Sequence, residues 1–426
     1  RSSEDMFKEF EQTAHTPGMV ALQRGDAAAG IAGATKTIEA TYRFPFLVHA
    51  AMEPLNAIAH KDAERLHLYG GLQMPDVVQG TCAAIAGIDP SKVDLHVMKT
   101  GGGFGRRATP DSDVFLEAVE IAKAIGFRAP VHLQWTREAD MSAGRYRPLH
   151  VHHAKVGLTA DGKIAGWDHR VVGFSIFAGG PFASMMVNGI DPSSTEGIAD
   201  SPYAIADFSV QVHHPVTPVP VLWWRSVGHT HTAFVMETLI DEIAEATGQD
   251  PIALRLSLLP DDARQRGVLQ LAADKAGWSE APKPGVHRGI AVHSSFGSFV
   301  ATVAEVSKSA DGKIKVERCV VASDCGVVVN PDVVRAQLEG GSGFGLGAFL
   351  GEALELEGGA ARQMNYDSYR PLRIDAMPRM EVHMLKSEAS PTGIGECAVP
   401  PIGPAVANAI YKATGKRVRN LPFHTA

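Results

Sequence analysis

The five-residue segment Ala-Asp-Gly-Lys-Ile occurs twice in this chain, at residues 160–164 and again at residues 310–314. Each copy lies inside a stretch in which apolar residues alternate with polar ones, Val156–Val172 and Val303–Ala322. An Asp-Gly pair flanked by such alternation is a strong short-range signal for a β-hairpin. We therefore predict two hairpins, each in one of two related α+β units. The alternative is that Asp-Gly-Lys is a common hairpin turn used twice.

The rest of the chain predicts a mixture of helices and strands. Residues 1–40 are expected to form a peripheral helix or linker, residues 41–230 a first unit and residues 231–426 a second. The long stretch 174–224 is expected to be irregular. Helices are predicted at 75–86, 112–125, 232–247, 251–259, 262–276, 330–339 and 405–414, and further strands near Leu66 and Leu68 and at 93–98, 131–135 and 380–385. Five glycines follow the sixth of these helices, at 340–347.

Composition excludes several classes of protein. A formal net charge of −7 is a poor match for a protein that binds nucleic acid. No apolar run reaches the 18 residues that a transmembrane helix needs. The four cysteines form no C-x-x-C pair, so zinc and iron–sulfur sites lack their usual spacing, and most are expected to be small buried hydrophobes: Cys82, Cys319, Cys325 and Cys397.

The glycine-rich loop Gly101–Gly105 lies between a predicted strand and a predicted helix. Such a loop lets backbone amides approach a phosphate or another anionic group with no Cβ in the way. It is not a dinucleotide-binding fingerprint, because Arg106 stands where a glycine is required, and no Gly-Lys-Ser/Thr follows to make a P-loop. The alternative is a purely structural turn.

Three polar side chains are further candidates, each with a plainer alternative. Glu396 lies among small and apolar residues before a predicted helix, where a shielded carboxylate would suit a general base, or it is a surface glutamate. Arg225 follows two tryptophans and would pair with a carboxylate or phosphate, or form a structural salt bridge. Gln337 lies on a helix as a ligand contact or as a solvated side chain. A cysteine hydrolase built on Cys397 and a histidine such as His229 has no local motif to support it.

Taken in order, several segments carry a resemblance to a known family. They are Gln73 in 70–75, the glycine-rich loop, Trp224–Ser226, Gln337 in 335–340, Gly393–Cys397 with Pro400 and Pro401, and the tail 404–417. Together they resemble the molybdopterin-binding subunit of the xanthine dehydrogenase and aldehyde oxidase family. The resemblance is greatest to the branch that contains the isoquinoline 1-oxidoreductase beta subunit, and it extends from about Thr41 to Pro422.

The resemblance implies a fold and a role for particular residues. The fold would be the molybdenum-cofactor-binding α+β domain of that family, and the cofactor molybdopterin or its cytosine dinucleotide form. Gln73 would hydrogen-bond the apical oxo group of the molybdenum, Gln337 would contact the pterin, and Glu396 would be the catalytic base. No protein side chain would bind the metal itself. Further contacts to the cofactor would come from Gly102, Gly103, Phe104, Gly105, Arg225, Ser226 and Gly395.

The implied activity is water-derived hydroxylation of a small molecule, with electrons passed to a [2Fe–2S] subunit and, as a further candidate partner, a cytochrome c subunit. Ala108 stands where purine-oxidising relatives carry a glutamate, and residues 174–224 contain no lysine or arginine. Both features favour an aldehyde or a neutral N-heterocycle as the substrate. Phe182, Met185 and Met186 would line its pocket, or else belong to the ordinary core.

Two motifs of this branch, a Met-Gly-Gln-Gly segment and a small-residue Ser/Thr loop, are not found in the sequence, which begins at Arg1. The chain is therefore expected to correspond to a C-terminal half that works with an N-terminal half of the same subunit, as a fragment, a cleaved product or a separate chain. The alternative is a cofactor-free domain with a structural or binding role, inactive without that half. The resemblance implies a bacterial periplasmic or membrane-associated protein, with a cytoplasmic location left open.

Overall fold

The structure is a computed structural model that describes residues 1–423, so the last three residues of the predicted second unit lie outside the described residues. Single helices alternate with strands in parts of the chain, and elsewhere helices or strands follow one another in runs of three. The helices are α1 Ser3–Ala14, α2 Ala27–Ala32, α3 Pro75–Ala86, α4 Asp113–Ala124, α5 Arg137–Ser142, α6 His229–Thr247, α7 Pro251–Leu258, α8 Arg264–Ala276, α9 Pro331–Leu350 and α10 Val399–Thr414.

The strands form a first large sheet of five strands, a second large sheet of four mostly long strands, a smaller sheet of four short strands, and a two-stranded hairpin. They are β1 Met19–Arg24, β2 Lys36–Phe44, β3 Asn56–Lys61, β4 Leu66–Gly70, β5 Val93–Val97, β6 Val131–Gln134, β7 His150–Leu158, β8 Ile164–Gly173, β9 Phe208–His213, β10 Val286–Ser295, β11 Ser298–Lys308, β12 Ile314–Asp324, β13 Leu356–Glu357, β14 Ala360–Ala361 and β15 Arg379–Met384.

The two large sheets repeat one topology. In the first, the order is β1-β9-β8-β7-β2, and in the second it is β10-β11-β12-β15. Strands β7 and β8 form the first predicted hairpin, β11 and β12 the second, and each hairpin is extended by one antiparallel strand and one parallel strand. Gly162 and Gly312 occupy the two turns with φ of +80° and +88°, a conformation that glycine adopts without strain. The shared topology favours two related units over a turn used twice by coincidence.

One hydrophobic core joins the two large sheets. Helix α10 packs on α6, β10 and β11, and its residues from Val399 to Ile410 are buried. The Phe234 ring of α6 meets the edges of Tyr42 and Phe44 from β2 at centroid distances of 6.2 and 5.8 Å. Burial of these apolar faces is the main contribution that fixes the two sheets to each other.

The smaller sheet positions two of the predicted site segments. Its order is β5-β4-β3-β6, and β4 and β5 are parallel neighbours that lead into helices α3 and α4 respectively. Loops that follow neighbouring parallel strands leave the same edge of a sheet. Gln73 follows β4 and the glycine-rich loop follows β5, so the two segments lie side by side.

Three boundaries differ from the sequence prediction. Residues 1–40 are more than a linker, because they supply β1 and most of β2, the two edge strands of the first large sheet. The stretch 174–224 is interrupted by β9, whose strand pattern is short. Helix α10 begins at Val399 rather than Ala405: its prolines at 400 and 401 fall in the first turn, where a missing amide costs nothing, and the helix continues through Pro404, which does lose a hydrogen bond. The predicted division of the chain at residue 230 stays a prediction.

Helix α9 continues through the five glycines to Leu350 instead of ending near Glu339. A Cβ at Gly345 would lie 2.6 Å from the Val399 carbonyl oxygen, so glycine is what lets α9 approach α10 this closely. Intrinsic propensity disfavours glycine in a helix by about 1 kcal/mol, but tertiary packing outweighs it here.

Two glycines of this run, Gly345 and Gly340, give a matched pair of variants. Gly345→Ala is expected to destabilise the protein by about 1–3 kcal/mol, because the added methyl collides with α10. Gly340→Ala is expected to be neutral or to stabilise by up to about 1 kcal/mol, because a Cβ there meets nothing within 4 Å. Urea unfolding of both variants measures the difference. Equal stabilities would contradict the close approach.

Neutral histidines are a second feature of the interior. His152 shares hydrogen bonds with His169 at 2.9 Å and with His231 at 2.8 Å, and all three rings are buried. Burial lowers the pKa of His169 to about 3, and it also lowers the pKa of His152 and His231. The other histidines whose pKa burial lowers in the same way include His49, His150, His229 and His293.

Acidification from about pH 6.5 to about pH 4.5 is therefore expected to destabilise the fold. The unfolded chain binds protons at these histidines in that range and the folded chain does not, so the free energy of unfolding falls by up to about 1.4 kcal/mol per pH unit for each of them. Burial raises the pKa of Glu196 and Glu352 to about 8, which acts in the opposite direction through fewer groups. Urea titrations across this range measure the slope, and a flat or rising stability on acidification would contradict it.

Candidate active site

The glycine-rich loop presents a row of backbone donors. Within residues 1–423, the amides of Gly102, Gly103 and Phe104 donate no hydrogen bond. The backbone has positive φ at Gly102 (+108°), Phe104 (+56°) and Gly105 (+106°). Successive amides in such a turn point to one side and form a concave site for an oxygen-rich or anionic group.

Gln73 lies directly over this loop. Its Oε1 accepts the Gly105 amide at 3.3 Å, while its Nε2 donates to nothing within the described residues. A Cβ at Gly103 would lie 2.7 Å from the same Oε1, so only glycine permits this approach. The free carboxamide NH₂ of Gln73 is thus available as a donor beside the three free amides.

Arg225 connects the loop to the second half of the chain. Its backbone amide donates to the Phe104 carbonyl at 3.0 Å, its Nε to the Gly395 carbonyl at 2.8 Å, and its Nη2 to Gln337 Oε1 at 3.0 Å. Burial lowers the pKa of the Arg225 guanidinium, against the pull of the nearby Glu396. One half-buried cation therefore fixes three of the predicted segments to one another.

Glu396 is held by the segment that follows Arg225. Its Oε1 accepts the Ser226 amide at 2.8 Å, and Ser226 Oγ donates to the Glu396 carbonyl at 2.6 Å. Ser226 and Val227 both have positive φ, +79° and +48°, which aims these donors at Glu396. The carboxylate is only partly shielded rather than desolvated, and its Oε2 accepts no hydrogen bond from residues 1–423.

The structure thus joins the residues proposed from the sequence into one connected set. They are Gln73, Gly102, Gly103, Phe104, Gly105, Arg225, Ser226, Gln337, Gly395 and Glu396. The roles assigned to them individually stay predictions.

Sequence reasoning missed Phe344, which lies at the centre of this set. Its ring stacks on Phe104 and on Trp224, in each case with ring centroids 4.4 Å apart, and the Arg225 guanidinium lies 5.8 Å from its centroid. Phe344 belongs to the glycine run of α9, where sequence propensity favours a loop. A helix assignment for 340–350 was the missing signal, because it points this ring at the same face as Gln337.

A cleft of about 450 Å³ is lined by Pro110 and Asp111, which follow the glycine-rich loop in sequence, and by parts of the stretch 174–224. Phe182 lines it and meets the Trp223 ring at 5.5 Å, and Trp223 Nε1 donates to the Gly105 carbonyl at 3.2 Å. Met185 and Met186 are absent from the described lining of this cleft, and Met185 is half exposed. Of the three apolar side chains proposed to contact substrate, Phe182 alone lies at the cleft.

The cleft does contain a cation, although the stretch 174–224 has none. Arg145 lines it from the segment before β7 and forms an ion pair with Asp111, another lining residue. The pair brings no net charge to the cleft. Ala108, three residues after Gly105, adds no charged group either.

The cysteine-hydrolase hypothesis finds no support in the geometry. Cys397 Sγ donates to the carbonyls of Gly393 at 2.9 Å and Ser295 at 3.4 Å, and burial raises the pKa of its thiol. His229 is occupied by a hydrogen bond of 2.8 Å to His293. A nucleophilic cysteine needs a thiolate beside a base, and this thiol is buried and protonated.

Comparison with known proteins places these features in a family. A family model described as a molybdopterin cofactor-binding domain matches residues 10–258, and a second model with the same description matches residues 266–378. The chain belongs to the molybdopterin cofactor-binding family. This confirms the resemblance to the xanthine dehydrogenase and aldehyde oxidase group that the motifs indicated.

Named relatives of this molybdopterin-binding chain agree. It is 30% identical to the beta subunit of isoquinoline 1-oxidoreductase from Brevundimonas diminuta over 88% of its own length and 48% of that protein. It is 29% identical to a nicotinate dehydrogenase subunit of Pseudomonas putida over 94% of its length and 35% of that protein. The same identity relates it to a membrane-bound aldehyde dehydrogenase of Gluconacetobacter polyoxogenes over 90% and 53%. The chain thus spans about half, or less, of these relatives.

Solved structures share the fold of the molybdopterin-binding chain. Quinoline 2-oxidoreductase from Pseudomonas putida 86 superimposes with a TM-score of 0.82 at 14% identity, over 95% of this chain and 77% of that one. The aldehyde oxidoreductase of Desulfovibrio gigas gives 0.76 at 16% identity, over 96% and 62%. These matches confirm the predicted α+β fold of the molybdenum-cofactor-binding type.

The chemistry of the site fits such a cofactor. A pterin with a phosphate, and a metal with oxygen and sulfur ligands, offers mainly hydrogen-bond acceptors. The site offers three free backbone amides, the side-chain carboxamide of Gln73 and the Arg225 cation. A Cβ at Gly103 would collide with the Gln73 carboxamide that lies over the loop. Within residues 1–423, no group of three or more His, Cys, Asp or Glu side chains is placed to hold a metal ion.

The reactivity of the four cysteine thiols tests their burial and the cysteine-hydrolase hypothesis. All four cysteines are buried, and burial raises the pKa of each of their thiols. The native chain is therefore expected to react with a thiol reagent at neutral pH far more slowly than the unfolded chain, which exposes all four. Rapid modification of Cys397 in the native protein would instead revive the hydrolase hypothesis. Mass spectrometry of the labelled peptides distinguishes the two results.

Proposed function

We propose that this chain is a component of a molybdenum hydroxylase and contributes the base and one wall of its active site. The observation that carries the proposal is the contact of one arginine, Arg225, with the glycine-rich loop, Gln337 and Gly395 at once, beside a carboxylate with a free oxygen. These are the same segments that carry the family resemblance, and the free donors of the site converge with them.

The molybdenum cofactor, when bound, supplies two-electron redox chemistry that no side chain provides. Residues of the chain would hold it: Gln73 and the amides of Gly102, Gly103 and Phe104 near the metal ligands, and Gln337 near the pterin. In the proposed reaction the substrate carbon gains an oxygen from water and loses two electrons and a proton. An aldehyde, for example, becomes a carboxylic acid, and a second proton comes from the water.

Glu396 would take a proton in this reaction. The Ser226 amide holds Oε1 in place, so Oε2 is the atom left to accept it. Because the amide hydrogen bond orients the carboxylate before substrate arrives, the base needs little reorganisation. The Phe104–Phe344–Trp224 stack excludes water from one side of the site.

The cleft supports an uncharged substrate. Phe174, Ile176 and Phe182 supply apolar surface, and the Arg145–Asp111 pair offers no net charge. Aldehydes and neutral N-heterocycles suit such a lining better than an anionic purine would. Two of the named relatives are named for uncharged substrates of this kind, isoquinoline and an aldehyde, whereas the third is named for nicotinate, which is an anion.

The remaining half of the subunit and an electron-accepting [2Fe–2S] subunit are the proposed partners, with a cytochrome c subunit as a further one. Apolar side chains are exposed on segments next to those that form the site, among them Met52 before Glu53 at 74% and Val329 before helix α9 at 81% of their surface, and a covering partner would bury them. Helices long and apolar enough to cross a membrane are absent from residues 1–423. A periplasmic or membrane-associated location is proposed by similarity to a relative named as membrane-bound.

Glu396→Gln tests the base in protein produced together with the rest of the subunit and the iron–sulfur subunit. Glutamine keeps an acceptor for the Ser226 amide but removes the basicity, so hydroxylation of benzaldehyde or isoquinoline with a dye acceptor is expected to fall about 10²–10⁴-fold. Molybdenum content is expected to stay unchanged.

Glu388→Gln is the control, because Glu388 is an exposed carboxylate on the same loop. It is expected to retain full activity. Full activity of Glu396→Gln would remove Glu396 from the mechanism. Wild-type complex without molybdenum or pterin would favour the cofactor-free alternative over the whole proposal.

A further inference from the structure

The glycine-rich loop has no secondary structure of its own, yet the site needs its amides and Gln73 in register. Three chain segments must therefore be fixed to one another: the start of β3, the turn after β4, and the loop after β5. Glu53, Gly71 and Gly102 represent them, and all three contact one buried side chain, that of Arg107.

Arg107 reaches each segment with a different part of its guanidinium. Nε donates to the Gly102 carbonyl at 2.9 Å, Nη1 to the Gly71 carbonyl at 3.3 Å, and Nη2 to the Glu53 carbonyl at 3.3 Å and to Glu53 Oε1 at 3.2 Å. The side chain is 2% exposed. A planar fork with five donors can bridge four acceptors on three segments in this way, whereas a lysine ammonium cannot match the geometry.

The backbone of Arg107 and the side chain of Glu53 add further hydrogen bonds between the same segments. We call the hydrogen bonds of Arg107 and Glu53 to these segments the brace. The Arg107 carbonyl oxygen accepts a hydrogen bond from the backbone N–H of Gln73 at 3.0 Å. This bond positions the residue whose side chain lies over the loop. Glu53 Oε2 accepts the Gly101 amide at 2.6 Å, and its Oε1 also accepts Asn56 Nδ2 at 2.7 Å. The buried charge of Arg107 is thus paired, and its hydrogen bonds go to the segments that form the site.

We propose that Arg107, paired with Glu53, is a positioning residue that sets the distance between the Gln73 carboxamide and the free amides of the glycine-rich loop. The inference rests on the proposed function for its catalytic meaning, but the brace itself is a property of the chain. Arg107 is not a catalytic residue, since it is buried behind the loop and acts through Gln73 and Gly102.

Arg106 provides the matched control. It is the neighbouring arginine, it is 4% exposed, and its Nη2 pairs with Asp113 at 2.8 Å while its guanidinium lies 5.4 Å from the Trp135 ring centroid. Among residues 1–423 its side chain makes no hydrogen bond to the loop or to Gln73. Loss of either arginine removes one buried cation, but only loss of Arg107 removes the brace.

The first measurement is amide hydrogen exchange in the cofactor-free full chain. In Arg107→Met, the amides of Gly101, Gly105 and Gln73 are expected to exchange at least about tenfold faster than in the wild type, while the strands of the two large sheets keep their protection. Arg106→Met is expected to leave these three amides unchanged. Arg107→Lys is expected to resemble Arg107→Met, because retention of the charge does not restore the fork.

Equal exchange in the Arg106 and Arg107 variants would overturn the proposal, since the arginine would then stabilise only the general fold. If Arg107→Met does not fold, Glu53→Gln tests the same brace from the other side. That variant is expected to accelerate exchange at Gly101 first, and unchanged exchange there would equally overturn the proposal.

The second measurement uses the loaded complex. Arg107→Met is expected to lower kcat by about tenfold or more with a smaller change in KM, and to weaken retention of molybdenum on dialysis. Wild-type complex that never binds molybdenum would defeat the proposed function, whereas the exchange result would still decide the brace. Loaded Arg107→Met with wild-type kcat and metal retention would defeat the positioning role alone.

Discussion

The hydrogen bonds of Arg225 are the constraint on which the candidate site depends. This one side chain and its backbone amide contact the Phe104 carbonyl, the Gly395 carbonyl and Gln337 Oε1, which come from three distant parts of the sequence. Its charge is half-buried, so removal of the Gly395 carbonyl or of Gln337 Oε1 would leave a desolvated cation incompletely satisfied. The geometry of the whole set is therefore interdependent, and no single segment could shift without the others.

The contacts that join these segments are accompanied by unfavourable backbone conformations within the site. Phe104, Ser226 and Val227 have positive φ although none of them is glycine, a cost of order 1–3 kcal/mol each. The stack of Phe104 on Phe344 and of Phe344 on Trp224 contributes the compensating packing, together with the Ser226 hydrogen bonds to Glu396. The strained residues are those that orient the free hydrogen-bond donors and the donors to Glu396. Backbone strain at such positions is typical of a site that is preorganised for a ligand.

Local patterns predicted the parts of the fold that local interactions determine. The two Asp-Gly hairpins, the strands that precede Gln73 and the glycine-rich loop, and most helices follow from periodicity and turn chemistry, whereas the parallel pairing of those two strands was not predicted. The extension of α9 to Leu350 does not, because a run of five glycines disfavours a helix until α10 packs against it through Gly345. The motifs proposed Gln337, Arg225 and Glu396 as residues of one site, but not their mutual contacts, which the structure shows for Arg225 with Gln337. Phe344 and Arg107 were missed for the same reason: each acts through contacts with residues distant in sequence, which only tertiary packing creates.

The position of the site at the junction of several segments has a thermodynamic consequence. Gln73 and the glycine-rich loop are supported by the smaller sheet, whereas Gln337 and Glu396 are supported by helices α9 and α10, which pack with the second large sheet. A ligand that contacts both groups binds only when both are in place, so it stabilises their arrangement by mass action. Ligand binding and the alignment of these two groups of segments are thus linked equilibria, each of which favours the other through the arrangement that Arg225 holds together.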